Sequence, residues 1–430
     1  MLRLTESSKV LMSFLLEKKL ITHKPQTKNT KHTLKILYAD LLQADEYIQK
    51  VQKEEEETGT PFYNPQIIKI NNVTHIPKPQ MFNDSTFPVG VKKHIEDNST
   101  FTLSYTFSLL ERKITIHMID EKSITPDNIS IYNEHIRKIL IWLTIVHEYT
   151  RYSSSKACSK TLTLYIYLTS LTKQLPDNNI SILTSTHVNT AFTTTCPTVS
   201  EIVVFRNEEW FKVLLHETFH NFALDFSDMN MEKCHAKILS IFPVKSEVNL
   251  FEAYTEFWAK IMNIAFCSYF MNDCTAIGHN NEHIFLNNAE FLINFEIAYS
   301  FFQMVKTLDF MGLSYSDLYS ESTSRDTLYK EDTNVLSYYV LSLILLNNYQ
   351  GFLVWCETHN LTLLQFKKSE PKLMEFCKFI EQNYNSKSML ESVAFMEDKF
   401  HKHKKQRASK SINEKKYIME NMRMSVVELG

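Results

Sequence analysis

The residues of this chain best suited to chemistry are His216, Glu217 and His220, in the run His-Glu-Thr-Phe-His. Their apolar flanks predict one helix over about residues 208–225. Side chains four residues apart on a helix lie one above the other, so the two imidazoles can share one ion. Imidazole is a favoured zinc ligand, and Glu217 is placed to act as general base on a zinc-bound water. The spacing predicts a catalytic Zn2+ site; the alternative is a helix with two hydrogen-bonded core histidines.

A zinc site of this kind needs a third protein ligand. Extension of the motif to a third histidine would require Gly at 223 and His at 226, where this chain has Ala223 and Phe226. Farther along the chain, Glu252 and Glu256 share one face of an otherwise apolar predicted helix. Buried carboxylates are costly unless a cation or hydrogen bonds compensate them. The pair therefore indicates a metal ligand and a neighbouring acid, with a solvated helix face as the alternative.

The two motifs together resemble the gluzincin branch of the zincin metallopeptidases, in which HExxH is followed by a helix with a glutamate ligand. The E-x-x-x-E form with aromatic neighbours is similar to the lethal-factor type. The resemblance spans roughly residues 188–265 and implies zinc held by His216, His220 and Glu252. It implies that Glu256 orients a ligating histidine. The implied reaction is hydrolysis of peptide bonds in a protein or peptide substrate.

The same resemblance implies two further parts of an active site. An edge strand before the motif helix would hold substrate as an added strand. Residues 188–193 are the candidate, with Asn189 and Ala191 as contact residues; a purely structural strand is the alternative. The oxyanion needs a donor, for which the sequence offers three tyrosines: Tyr338 as first choice, with Tyr339 and Tyr254 as alternatives.

The elements that must position these residues predict an α+β fold. Period-two alternation predicts a hairpin from residues 100–105 and 113–118, and helical spacing predicts a helix over about residues 128–147. Three strand-like segments follow, at residues 161–168, 188–195 and 201–206. Asn207 is the expected N-cap of the motif helix. With the resemblance, this predicts a zincin-like catalytic domain with a small mixed β-sheet and a largely helical lower lobe.

Four parts are predicted along the chain. Residues 1–98 form a helical segment and a proline-containing linker, and residues 99–226 form a sheet-bearing upper lobe that ends in the motif helix. Residues 227–397 form the helical lower lobe with the glutamate ligand. Residues 398–430 begin with a run rich in basic residues, which predicts a flexible tail.

Composition argues against several other classes. The net charge of −3 predicts no general electrostatic attraction to nucleic acid or to a membrane surface. The chain has 6 glycines, and they do not form the pattern of a glycine-rich phosphate-binding loop. No stretch reaches the ~18 apolar residues of a membrane span. Glu6 and Glu17 interrupt the first apolar run, so no signal peptide is expected. The 7 cysteines contain no CxxC pair, which predicts free thiols. Free thiols suit a reducing compartment, such as the cytoplasm or a virion interior.

The abundance of Ile, Asn, Lys and Thr resembles that of proteins from AT-rich genomes, including those of large DNA viruses. The main alternative function is therefore a virion or scaffold protein with a structural or degenerate zinc site. A nucleic-acid-associated protein that uses the basic tail is a second alternative, and the near-neutral charge weighs against it. The sequence pattern indicates no particular oligomeric state.

Overall fold

The computed structural model describes residues 3–125, 128–271, 281–405 and 412–430. The chain is a mixed α+β protein, 57% helical, with a six-stranded mixed sheet, which confirms the predicted class. The strands are β1 (Gln66–Lys69), β2 (Phe101–Leu109), β3 (Arg112–Asp120), β4 (Thr161–Leu168), β5 (Leu183–Thr184), β6 (Ala191–Thr193), β7 (Val199–Val204) and β8 (Glu331–Asp332).

The helices of the described residues are α1 (Glu6–Glu17), α2 (Lys28–Glu57), α3 (Val91–Asn98), α4 (Ile129–Thr150), α5 (Ser185–Val188), α6 (Trp210–Asn221), α7 (Glu232–Ile241), α8 (Leu250–Phe270), α9 (Asn281–Phe310), α10 (Thr323–Leu328), α11 (Ser342–Asn347), α12 (Tyr349–His359), α13 (Glu370–Asn383), α14 (Lys387–Lys405) and α15 (Ile412–Glu420). A π-helical turn, Leu336–Leu341, leads directly into α11 and is called the π turn below.

The six-stranded sheet has the order β1-β2-β3-β4-β7-β6. Strands β3, β4 and β7 run parallel, and the other neighbours pair antiparallel. The predicted hairpin is present as β2 and β3, joined by Leu110 and Glu111, which both have positive φ, as a tight two-residue hairpin turn requires. Because β1 pairs with β2, part of the predicted linker belongs to the sheet.

The two faces of the sheet pack differently, as side-chain alternation along β4 makes clear. Leu162, Leu164 and Ile166 belong to the main apolar core, which includes α4, α6 and α8. Tyr165 and Tyr167 point to a smaller cluster under residues 70–95 on the opposite face. The motif helix α6 packs on the main-core face, against β6 and β7.

Two strand predictions need correction. The segment predicted as a strand over residues 188–195 is extended only in β6, because the short helix α5 occupies Ser185–Val188 directly before it. The strand predicted at residues 201–206 is β7, shifted two residues earlier. In the strand order β6 stands at the end of the sheet, as expected for an edge strand.

The prediction that the cysteines are free thiols is wrong for Cys158 and Cys196, which form a disulfide. The cause is the register of two parallel strands: Thr161 of β4 lies opposite Val199 of β7. Residues three positions before each of these therefore also lie side by side. This juxtaposition is not visible in cysteine spacing along the chain.

The prediction of a flexible tail is wrong for the last ten residues of the sequence. Residues 387–405 form α14, and residues 421–427 are no more than 5% exposed. Apolar side chains at Met422, Val426 and Val427 drive this burial, which the basic run earlier in the tail conceals. One apolar cluster joins residues from Leu11 to Leu429, and the four-part division of the chain stays a prediction.

Within the described residues, no individual helix combines the length and apolarity that crossing a bilayer demands. One pair of helical segments, Leu336–Asn347 and Tyr349–His359, meets that standard only when joined, and its two halves are bent by 90°.

Candidate metal centre

Helix α6 carries the three motif residues but is shorter than predicted, from Trp210 to Asn221. The predicted capping role of Asn207 is wrong, because no side chain caps this helix. The residue before it, Glu209, has left-handed backbone angles (φ 60°, ψ 20°), and its carboxylate is buried. Non-glycine residues adopt this conformation only where their surroundings enforce it. The helix start is therefore held by tertiary contacts instead of a local cap.

Three atoms of types that can ligate a metal converge beneath the sheet. The Nε2 atoms of His216 and His220 lie 3.2 Å apart. Glu252, in the first turn of α8, places Oε2 3.0 Å from the first nitrogen and 3.4 Å from the second. In a tetrahedral site with bonds of 2.0–2.1 Å, ligand atoms lie ~3.3 Å apart. The triangle thus has the dimensions that one metal ion requires.

Each histidine presents its other ring nitrogen to a buried carboxylate. Glu256 Oε2 lies 3.2 Å from His216 Nδ1, although the ring N–H does not point closely at the oxygen. Asp225 Oδ2 is hydrogen-bonded with His220 Nδ1. Such partners fix the tautomer that leaves Nε2 free to bind a metal. Glu256 thus lies beside a histidine as the sequence predicted.

The position of Asp225 beside His220 was not predicted from the sequence. The chain turns back after α6 at Ala223, which has positive φ, so Asp225 returns to the side of the last helical turn. A left-handed residue just past a helix is a common stop signal. The sequence predicted a helix that runs to about residue 225. A continuous helix would carry Asp225 away from His220, so the contact could not be expected.

The donor set fits a divalent cation. With a proton on each Nδ1, both Nε2 lone pairs face the same point 3.2 Å apart, which is unfavourable without a cation between them. Four carboxylates line the centre, and each is buried: Glu217, Glu252, Glu256 and Asp225. Two ammonium groups lie within 4 Å of one of them, Glu256: Lys212 at 2.6 Å, and Lys260 at 3.9 Å, which also faces Glu296. When both histidines are neutral, as metal ligation requires, the buried carboxylates outnumber the two ammonium groups, and this excess of negative charge favours binding of a dication.

The carboxylates of the centre differ in the direction in which their surroundings shift the pKa. Burial acts to raise the pKa of Glu252, but the two histidines outweigh it and hold that pKa well below its usual range. Lys212 does the same for the pKa of Glu256 against an opposing burial effect. Burial raises the pKa of Glu217, and His216 and His220 offset the rise only in part. A carboxylate with a raised pKa is suited to accept and return a proton near neutral pH.

Of the three candidate tyrosines, only Tyr338 reaches the centre. It stands in the π turn and donates its O–H to Glu252 Oε2 at 3.2 Å, with its ring 5.9 Å from that of His216. Tyr339 donates to Met422 O, and Tyr254 donates to Leu364 O. Asn334, which the sequence did not single out, lies with Nδ2 3.4 Å from Glu252 Oε1.

A cavity of about 30 Å³ lies between Glu217 and the segment that leads into β6. Asn189 and Ala191 both line it, together with Tyr338 and Met424. Its volume accommodates about one or two water molecules. Asn189 precedes β6 and bonds to Thr333 through its side chain, whereas Ala191 is the first residue of the strand.

The outer edge of β6 offers hydrogen-bonding groups. Phe205 N donates to Thr190 O, so residues 190 and 192 face β7 in the alternating antiparallel pattern. The N–H and C=O groups of Ala191 and Thr193 therefore point away from β7. An extended peptide could pair with these groups as an added strand.

Comparison of the chain with protein-family models, with curated proteins and with solved structures finds no match.

Proposed function

We propose that the chain is a zinc-dependent metallopeptidase of the zincin type, in its gluzincin branch. The observation that carries the proposal is the triangle of His216, His220 and Glu252 donors, with sides of 3.0–3.4 Å, next to a buried Glu217. Two nitrogens and one carboxylate oxygen suit zinc better than calcium or magnesium, which prefer oxygen ligands alone. Zinc in this position would polarise a scissile carbonyl and make water more acidic.

The residues of the chain divide the remaining work. Glu217 accepts a proton from the attacking water and passes it to the leaving amine. Tyr338 is the proposed donor to the oxyanion. Its O–H lies at the centre, 3.2 Å from Glu252 Oε2. The edge of β6 at Ala191 holds the substrate backbone, and the substrate is a protein or peptide. Asp225 and Glu256 keep the two histidines in the ligating orientation.

One observation favours a second candidate, a virion or scaffold protein with a structural or degenerate zinc site. His216, Glu217 and Glu252 are at most 9% exposed, and the cavity beside Glu217 is too small for a substrate side chain larger than a few atoms. A peptidase must therefore open this region to bind its substrate. The proposed place of action remains the cytoplasm or a virion interior, although the Cys158–Cys196 disulfide removes part of the argument for it.

The proposal is tested by metal analysis and one substitution. Purified chain should contain one zinc per molecule and cleave members of a mixed peptide library. Glu217→Gln should keep the zinc but abolish cleavage, because an amide does not accept the proton. Zinc with no cleavage by the wild-type chain would favour the structural site. Full activity of Glu217→Gln would refute the general-base role, and iron in place of zinc would point to oxygen chemistry, since two histidines and a carboxylate also bind Fe(II).

A further inference from the structure

Residues 421–430, called the inserted segment, pass through the interior of the protein after α15. Residues 421–427 are no more than 5% exposed. The segment ends against the first described residues: Leu429 pairs with Leu4, and Thr5 N donates to Glu428 O at 3.0 Å. The segment pairs with other backbone segments as isolated bridges at residues 421 and 429, so the backbone groups between them must be satisfied in another way.

Side chains satisfy the N–H groups in the middle of the segment, whereas Met422 N donates to the backbone oxygen of Lys173. Glu209 accepts from Met424 N at 3.0 Å and from Ser425 N at 2.6 Å. Glu296 accepts from Val426 N at 3.0 Å and from the Ser425 hydroxyl at 2.9 Å. Both carboxylates are at most 1% exposed. Loss of these hydrogen bonds is costly for buried carboxylates, so the space that the segment fills, called the channel, favours an occupant.

Side chains also satisfy the carbonyl groups. Three donors reach three carbonyl oxygens of the inserted segment: Asn263 to Val427 (2.7 Å), Tyr339 to Met422 (2.6 Å) and Gln303 to Arg423 (2.6 Å). These donors come from α8, the π turn and α9. The channel therefore recognises a peptide backbone through polar side chains from several helices.

The same elements carry the metal centre. Glu209 immediately precedes α6, Asn263 shares α8 with Glu252, and Tyr339 follows Tyr338 in the π turn. Removal of the segment would take a hydrogen-bond partner from Asn263 and from Tyr339, and would leave Glu209 paired with Lys173 alone among the contacts described. Met424 reaches farther still, because it lines the cavity next to Glu217.

One chain of contacts links the inserted segment to a metal ligand. Lys212, one turn before His216 on the same face of α6, lies 3.8 Å from Met424 Sδ. Its ammonium group donates to Glu256 at 2.6 Å, and Glu256 lies 3.2 Å from His216 Nδ1. Lys212 is only 3% exposed, so bulk solvent screens these contacts little.

We propose that the inserted segment is a peptide ligand in cis whose insertion assembles the metal centre, with Lys212 as the positioning residue that couples the two. The inference rests on the proposed zinc site but not on peptide hydrolysis. Coupling between two binding events is reciprocal, so zinc must stabilise insertion as much as insertion promotes zinc binding. Metal affinity then depends on the position of the segment through Lys212. Substrate access depends on it as well, because Met424 borders the cavity beside Glu217.

Amide hydrogen exchange in the full-length chain tests the reciprocity. Saturating zinc should slow exchange at Met424, Ser425 and Val426, by ~100-fold when zinc is at 100 times its Kd. Amides of β2, which lies away from the centre, should slow less. Unchanged exchange in the segment would overturn the proposal. Equal slowing in the segment and in β2 would also overturn it, since zinc would then stabilise only the chain as a whole.

Substitution of Lys212 in the full-length chain tests the coupling. Lys212→Met should weaken zinc binding by ~10–100-fold and remove the extra protection of the segment by zinc. Lys138→Met is the matched control, because Lys138 is equally buried and its ammonium group faces the rings of Trp210 and Phe211. It is also attracted to Glu134 and Glu428, but neither of these carboxylates is a proposed metal ligand or touches one in the contacts described. Lys212→Arg should recover part of the affinity.

Three outcomes would overturn the role of Lys212: unchanged zinc affinity, equal loss in the Lys138 control, or zinc protection that persists in Lys212→Met. If Lys212→Met does not fold, the exchange experiment on the wild-type chain decides. Failure of the proposed function has a different signature: a wild-type chain that binds no zinc removes the metal site itself. Zinc binding without hydrolysis removes only the peptidase activity.

Discussion

Asp225 offers the sharpest test of how the proposed metal centre is built. Its Oδ2 is hydrogen-bonded with His220 Nδ1, and its Oδ1 accepts from Ser227 N at 3.3 Å and Ser227 Oγ at 3.0 Å. The side chain is fully buried, so water cannot replace it. Both oxygens act as acceptors, which a carboxylate can do and an amide cannot.

Asp225→Asn keeps the shape but breaks this pattern. If the amide oxygen stays with Ser227, the NH₂ group faces His220 Nδ1–H, and two donors meet. The alternative is for His220 to take the tautomer with its proton on Nε2, which can no longer bind a metal. Loss of a charged hydrogen bond costs about 1.5–3 kcal/mol, and ~100-fold in affinity is about 2.7 kcal/mol. We therefore expect Asp225→Asn to weaken zinc binding by ~100-fold.

The assay is competition for zinc with a chromophoric chelator, with circular dichroism as the check on folding. Asp228→Asn is the matched control: this aspartate lies three residues later, is exposed, and pairs with Lys368 at 2.7 Å. It should bind zinc as the wild type does. Equal zinc affinity in Asp225→Asn and wild type would refute the orienting role, and equal losses in both variants would show a general effect of charge.

Three further predictions follow from the contacts. Tyr338→Phe should keep zinc but lower kcat by ~100-fold in a peptide-cleavage assay, because the oxyanion loses a donor; an unchanged kcat would exclude this role. Burial raises the pKa of Glu331 to about 7 from its ordinary value of 4.5, so its contribution to stability is complete below pH 4.5 and is lost as pH rises through 7. The difference in unfolding free energy between wild type and Glu331→Gln, measured with urea, should change by ~3 kcal/mol over that pH range. A difference that does not depend on pH would contradict the raised pKa. The Cys158→Ser/Cys196→Ser variant should lose up to ~4 kcal/mol of unfolding free energy, since the disulfide closes a separation of 38 residues; unchanged urea unfolding would contradict this.

The buried polar groups around α6 explain why the centre depends on so much of the chain. Lys173 and Glu209 form an ion pair at 2.9 Å in which both side chains are 1% exposed. Lys212 pairs with Glu256 under similar burial. Breaking one partner of such a pair is far more destabilising than the pair is stabilising, because the other charge stays buried. Substitutions at these lysines and glutamates should therefore be interpreted only with a check on folding.

The sequence by itself predicted the parts of this protein that depend on local spacing. His216 and His220 are four apart in an apolar run, and so are Glu252 and Glu256, so helical periodicity alone puts each pair on one face. Alternation of period two likewise located the hairpin of β2 and β3. These patterns are short-range, because a helix or hairpin sets the geometry of residues that are close in sequence.

Tertiary structure alone decided which distant residues complete the centre. Tyr338 reaches Glu252 while its neighbour Tyr339 does not, and Asp225 returns to His220 only because the chain reverses at Ala223. The disulfide depends on strand register, and the inserted segment depends on buried carboxylates more than 100 residues away in sequence. Each contact is fixed by the packing of the whole core, where the free energy of many non-local contacts sets the path of the chain. Periodicity within a segment carries no information about which other segment it will meet.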